Sequence, residues 1–197
     1  MIQKISCKIS AWLFKLGAIS ADEQELYQYA VYCFLFSSAP LIAMFIIGIF
    51  LGMWFESLLF ILPFMLIRKF SGGFHLKSPV ACFLVSTALL TAFLMVIQYM
   101  IEKEIYWLPL IFAFLSVVLL ALFSPVDSQQ RQLSEKEKTV FKRVAIIISV
   151  TIFLLYILFM MCGLERIALP IGIGLILPAL LQIPCLFAKL SLIREKE

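Results

Sequence analysis

The sequence predicts an all-α, polytopic membrane helix bundle of about six transmembrane helices, preceded by an N-terminal amphipathic helix at the interface. Three observations carry this. Of 197 residues, 63% are apolar and only 14% charged, with a mean hydropathy of +1.07; a soluble domain has roughly 45–50% apolar and 25% charged residues. The charges cluster and leave neutral runs long enough to cross a bilayer. The basic residues concentrate in alternate connecting segments. Together these exclude a water-soluble domain, a disordered chain and a nucleic-acid binder, and leave one membrane domain with the lipid bilayer around it.

The first element is residues 1–25. Ile2, Ile5, Ile9, Trp12, Leu13 and Leu16 recur at helical spacing, with Lys4, Lys8 and Lys15 among them. That pattern predicts a helix lying on the inner leaflet. The segment has no neutral core and small-residue cleavage site of the signal-peptide kind.

The transmembrane domain is expected over 26–188. Leu26–Phe55 carries no charge over 30 residues, and after Glu56 another 11 neutral residues run to Ile67. As helix, about 20 apolar residues cross the bilayer core, so 26–67 must hold two spans, with the fold-back near Gly48–Glu56. Ser78–Ile101, Ile105–Val126, Val144–Leu164 and Ile167–Ala188 are neutral runs of 24, 22, 21 and 22 residues, one span each. Ser134-Glu135-Lys136-Glu137 has capping-box spacing, so a helix should start there and run into the fifth span. Residues 124–143 form a basic loop, and 189–197 a short tail.

Six spans put both termini on one side. With that side cytoplasmic, Lys4, Lys8, Lys15, Arg68, Lys69, Lys77, Arg131, Lys136, Lys138, Lys142, Arg143, Lys189, Arg194 and Lys196 face inward, which is 14 of the 16 basic residues. Only Lys103 and Arg166 fall outside. The bias predicts both termini in the cytoplasm.

Segment 68–82 differs from the rest: Arg68-Lys69-Phe70-Ser71-Gly72-Gly73-Phe74-His75-Leu76-Lys77-Ser78-Pro79-Val80-Ala81-Cys82, with the chain's one histidine. Ser78 suits an N-cap and Pro79 the first helical position, which puts Cys82 in the first turn of the third span. The positive end of a helix favours a thiolate, and the thiolate is the nucleophile. In one continuous helix His75 and Cys82 would lie about 10 Å apart along the axis, too far for proton transfer. Pro79 supplies the break that lets His75 fold back. Gly72 and Gly73 permit the tight turn and could present N–H groups to an oxyanion. The same residues also fit a plain turn, a cysteine serving as a small hydrophobe and an interfacial histidine. A non-enzymatic polytopic protein, whether a small-solute or peptide transporter or a scaffold, is therefore the alternative class. A transporter predicts internal symmetry and ionisable groups within spans, and neither is evident.

The segment resembles the signature of the AgrB family (accessory gene regulator B), bacterial membrane cysteine endopeptidases of peptide quorum sensing. The matching residues are Arg68-Lys69, Gly72-Gly73-Phe74-His75, Lys77-Ser78 and Cys82. The length, amphipathic start, several spans and Ser124-Pro125-Val126-Asp127 before a basic run extend the likeness over most of the chain. The resemblance implies that His75 and Cys82 are the catalytic pair. It implies a substrate made of an amphipathic leader, a signal core with an internal Cys or Ser, and an acidic tail. Cys82 would cut between core and tail, and the core would leave as a cyclic thiolactone or lactone. An acidic tail would be drawn to Arg68, Lys69, Lys77, Arg131, Lys136, Lys138, Lys142 and Arg143, although topology alone also accounts for these charges. Glu25 is a weak candidate for a third group orienting His75.

No cofactor is implied, because one histidine and scattered cysteines do not make a zinc ligand set. Cys7, Cys33, Cys162 and Cys185 read as reduced and structural. Gly48-x3-Gly52 and Ala168-x3-Gly172 are spacings for close helix packing, within the monomer or in a homodimer. Glu56 is either a functional acid or a solvated residue at the outer fold-back.

Overall fold

A computed structural model describes residues 2–72, 78–126 and 134–194. Seven helices account for nearly all of them: α1 (Ile2–Lys15), α2 (Gln24–Phe50), α3 (Trp54–Ser71), α4 (Pro79–Glu102), α5 (Leu108–Phe123), α6 (Glu135–Met161) and α7 (Glu165–Arg194). All six apolar runs are helical, and α2 and α3 fold back at residues 51–53, inside the expected window. Among the described residues, four helices are long and apolar enough to cross a membrane by themselves: α2, α4, α6 and Glu165–Phe187 of α7. The other two depart from that standard. α3 has 18 residues but includes Glu56, Arg68 and Lys69, and α5 has 16.

Local chemistry sets the boundaries. Ser78 is extended (φ −84°, ψ 122°), its hydroxyl accepts from Ala81 N–H, and Pro79 opens α4. A Ser N-cap of this kind contributes about 1 kcal/mol. At α6 the capping box is complete: Ser134 accepts from Glu137 N–H, and the Glu137 carboxylate accepts from Ser134 N–H at 2.9 Å. At the head of α2, the Glu23 carboxylate accepts from both the backbone and the hydroxyl of Ser20. These two bonds hold its pKa below the ordinary 4.5.

The packing is that of a membrane bundle. Large apolar side chains point outward on every peripheral helix, among them Phe34, Phe50, Leu84, Ile111, Ile147 and Leu154. In a soluble monomer such a surface would aggregate. α7 is the central post: 72% of its most apolar stretch is buried, against 17% for α2 and for α4. It touches α3, α4, α5 and α6. Small residues permit the close approach. A Cβ on Gly172 would stand 3.0 Å from the Tyr156 ring of α6, and one on Gly174 2.6 Å from the Phe60 carbonyl of α3.

The Gly48-x3-Gly52 pair proves to be two different devices. Gly48 is a packing glycine, since a Cβ there would collide with the Ser57 side chain. A Cβ on Gly52 would meet nothing within 4 Å; this glycine follows α2 at φ +72°, a conformation that favours glycine. α1 forms as expected and packs on α2, but through Ser6 and Ser10, both fully buried. Ile5, Trp12 and Leu16 face away from the protein, as a helix bound to an interface requires.

The helices run up and down, so the bundle has two polar ends. One holds the 51–53, 103–107 and 162–164 turns. There Arg166 Nε donates to the Glu56 carboxylate at 2.8 Å, and the Tyr156 hydroxyl donates to the Tyr106 carbonyl at 3.3 Å. Glu56 is buried and ion-paired rather than solvated at its fold-back. The other end gathers the C-termini of α3, α5 and α7 with the N-termini of α4 and α6.

Candidate functional site

The second end contains the segment that the sequence singles out. α3 stops at Gly72 because the backbone there turns to φ 71°, ψ −156°, a region essentially reserved for glycine. A Cβ would also run into the Val126 carbonyl. Gly72 pairs in parallel with Val126, whose N–H donates to the Ser71 carbonyl at 3.0 Å. The end of α5 is thus stitched to the end of α3, just before residue 73.

Two side chains complete the junction. Arg68, half-buried, donates from Nη1 to the Gly72 carbonyl at 2.8 Å. Its guanidinium is also within electrostatic reach of the Cys82 and Cys185 sulfurs. Gln182 of α7, 1% exposed, donates from Nε2 to the Ser71 carbonyl at 2.9 Å and to Ser124 Oγ at 2.8 Å. Its Oε1 is buried with no partner among the described residues.

Cys82 is the fourth residue of α4 and half-buried, with its own N–H on the Ser78 carbonyl at 2.9 Å. The cap, the proline and the first-turn position are as the sequence predicts. Gly73, His75, Lys77 and Arg131 lie outside the described residues.

The remaining basic residues collect at the same end. Lys69 extends over the Phe70 ring, and Phe70 meets Phe141 edge-to-face at 5.8 Å between centroids, which sets the end of α3 beside the start of α6. Lys136, Lys142 and Arg143 are exposed there, whereas Lys138 is engaged with Glu135 at 3.0 Å. Glu25 lies in the first turn of α2. With Gln3, Ser6, Gln28, Tyr29 and Tyr32 it lines a cleft of about 320 Å³ between α1 and α2, and none of the residues around Cys82 lines that cleft. Cys162 caps the end of α6 in an exposed position rather than inside a span.

Sequence reasoning missed Gln182, Ser71 and Ser124. The available signal was a lone amide in the last apolar run, since polar groups inside spans are costly and seldom idle.

Fold and site define an all-helical, multi-pass membrane protein with a cysteine at a capped helix start beside a buried polar junction. The family model for accessory gene regulator B (AgrB) matches residues 3–186, and the chain belongs to that family. A protein of Clostridium perfringens (strain SM101 / Type A), described as AgrB-like, is 26% identical over 149 residues, covering 73% of this chain and 70% of the relative. No solved structure matches the chain.

Proposed function

We propose that the chain is an integral-membrane cysteine endopeptidase of peptide quorum sensing. It removes the acidic C-terminal tail of a short propeptide and releases the core as a cyclic thiolactone or lactone. Cys82 thiolate attacks the carbonyl carbon of the bond joining core and tail. The carbon–nitrogen bond breaks, the leaving amine takes a proton from His75, and the core remains as a thioester on Cys82. The core's own thiol or hydroxyl then attacks that thioester, which closes the ring and frees Cys82. A thioester keeps the acyl group activated, and a membrane-embedded site limits competing water.

The observation that carries the reading is the position of Cys82. It stands in the first turn of a helix capped by Ser78, within reach of the Arg68 charge, in a member of the AgrB family. Gly72 and Gly73 shape the loop and support the oxyanion. Arg68, Lys69, Lys77, Arg131, Lys136, Lys138, Lys142 and Arg143 attract the acidic tail. Both termini face the cytoplasm of a bacterial cell; the gathering of Lys69, Lys136, Lys142 and Arg143 at one end supports that orientation.

The test is co-expression with the propeptide from a neighbouring reading frame. Cys82→Ala should abolish tail release while the protein still reaches the membrane. Tail release at the unmodified rate in Cys82→Ala would end the proposal.

A further inference from the structure

We propose that Gln182 is a positioning residue. Through one amide it fastens the end of α3 to the end of α5, and so fixes the point where residue 73 begins. It therefore governs turnover rather than substrate affinity or folding. This rests on the cysteine-endopeptidase reading above.

Gln182 is an incompletely satisfied amide. Its Oε1 is buried without a partner among the described residues, and an unpaired buried acceptor is destabilising. A leucine of similar volume would lose two hydrogen bonds but would also remove that acceptor from an apolar helix. Stability alone does not explain an amide at this position.

Where its two bonds land does explain it. Ser71 and Ser124 are buried at 0% and 4% exposure, and Gln182 Nε2 reaches the carbonyl of one and the hydroxyl of the other. The Ser71 carbonyl also receives Val126 N–H, and the next carbonyl, that of Gly72, receives Arg68. The same Arg68 extends its charge to the Cys82 sulfur. A shift at Ser71 thus displaces the Gly72 carbonyl, through which the chain leaves α3, and with it the Arg68 guanidinium bonded there. The bonds originate on the most buried stretch among the four span-length helices, that of α7, and sites held from well-packed elements keep their geometry best.

The experiment compares purified Gln182→Leu with the unmodified chain in detergent. The substrate is a synthetic propeptide with amphipathic leader, cysteine-containing core and acidic tail, taken from the neighbouring reading frame. The expected result is a fall in kcat of about tenfold or more, since ångström-scale misplacement has effects of that order. KM should stay within about twofold and the thermal unfolding midpoint should not fall. Ser124→Ala, which removes one of the two acceptors and leaves α7 intact, should give a smaller loss of kcat. It should add little to Gln182→Leu, because both act through one bond network. Unchanged kcat in Gln182→Leu, or a loss that tracks a lowered midpoint, overturns the proposal. If Gln182→Leu does not fold, unchanged kcat in Ser124→Ala overturns it. A Cys82→Ala control that still cleaves overturns the endopeptidase reading instead.

Discussion

The two ends of the bundle handle buried polar groups in opposite ways. At the 51–53 end, Glu56 is answered completely: Arg166 reaches in from an exposed position and pairs with it at 2.8 Å. At the 71–72 end, Gln182 bonds through its nitrogen and leaves its oxygen unpaired among the described residues. Arg68 donates to the Gly72 carbonyl, and Gly72 holds a backbone shape that other residues resist. At the first end the two charges answer each other. The other directs its polar groups at the Ser71 and Gly72 carbonyls, the arrangement expected where geometry matters more than stability.

Changes at the two ends should separate these roles. The largest effect after loss of Cys82 belongs to Gly72→Ala. A side chain there costs about 1–3 kcal/mol in backbone strain alone, before its clash with Val126. Propeptide cleavage should drop more than about tenfold while circular dichroism still reports the native helix content. Full activity in Gly72→Ala would erase the distinction between the ends.

Arg166→Ala is the counterpart at the 51–53 end. It strands a buried carboxylate and should destabilise by about 1–3 kcal/mol, seen as a lower unfolding midpoint in detergent. Cleavage at temperatures where the protein stays folded should be unchanged. Glu56→Gln removes the charge together with its need for a partner, and should cost less than Arg166→Ala.

The smallest effect lies at the α1–α2 junction. Glu23 has a lowered pKa because Ser20 donates to its carboxylate. Its contribution is therefore complete above the ordinary 4.5 and disappears as pH falls through the lowered value. Hydrogen-exchange protection of the Ser20 amide should fade over that acidic window while helices α3 to α7 keep theirs.

What was legible in the sequence is what local chemistry encodes. Six apolar runs became six helices because each must satisfy its own backbone away from water. Ser78-Pro79 and Ser134-x2-Glu137 placed the starts of α4 and α6 because a cap is decided within four residues. The Cys82 position followed from the first of these. The rest depends on partners far along the chain. Gln182 meets Ser71 across 111 residues and Ser124 across 58, and nothing near Gln182 signals either. Glu56 finds Arg166 110 residues away, so the solvated position open to it at the fold-back gives way to a buried ion pair. The two glycines of Gly48-x3-Gly52 share a spacing but not a cause, because residue type alone cannot tell close packing from a turn. For α1 the apolar stripe was legible, but its outward orientation depended on Ser6 and Ser10 meeting α2.

The central claim is that the Cys82 sulfur carries the acyl group between cleavage and ring closure. The most direct measurement is the intact mass of the purified chain after mixing with a propeptide whose core lacks its internal nucleophile, so that the ring cannot close. The expected result is a hydroxylamine-sensitive adduct with the mass of leader plus core on Cys82, matched by released tail. Tail released with no adduct at any time point, or an adduct on another cysteine, would contradict it.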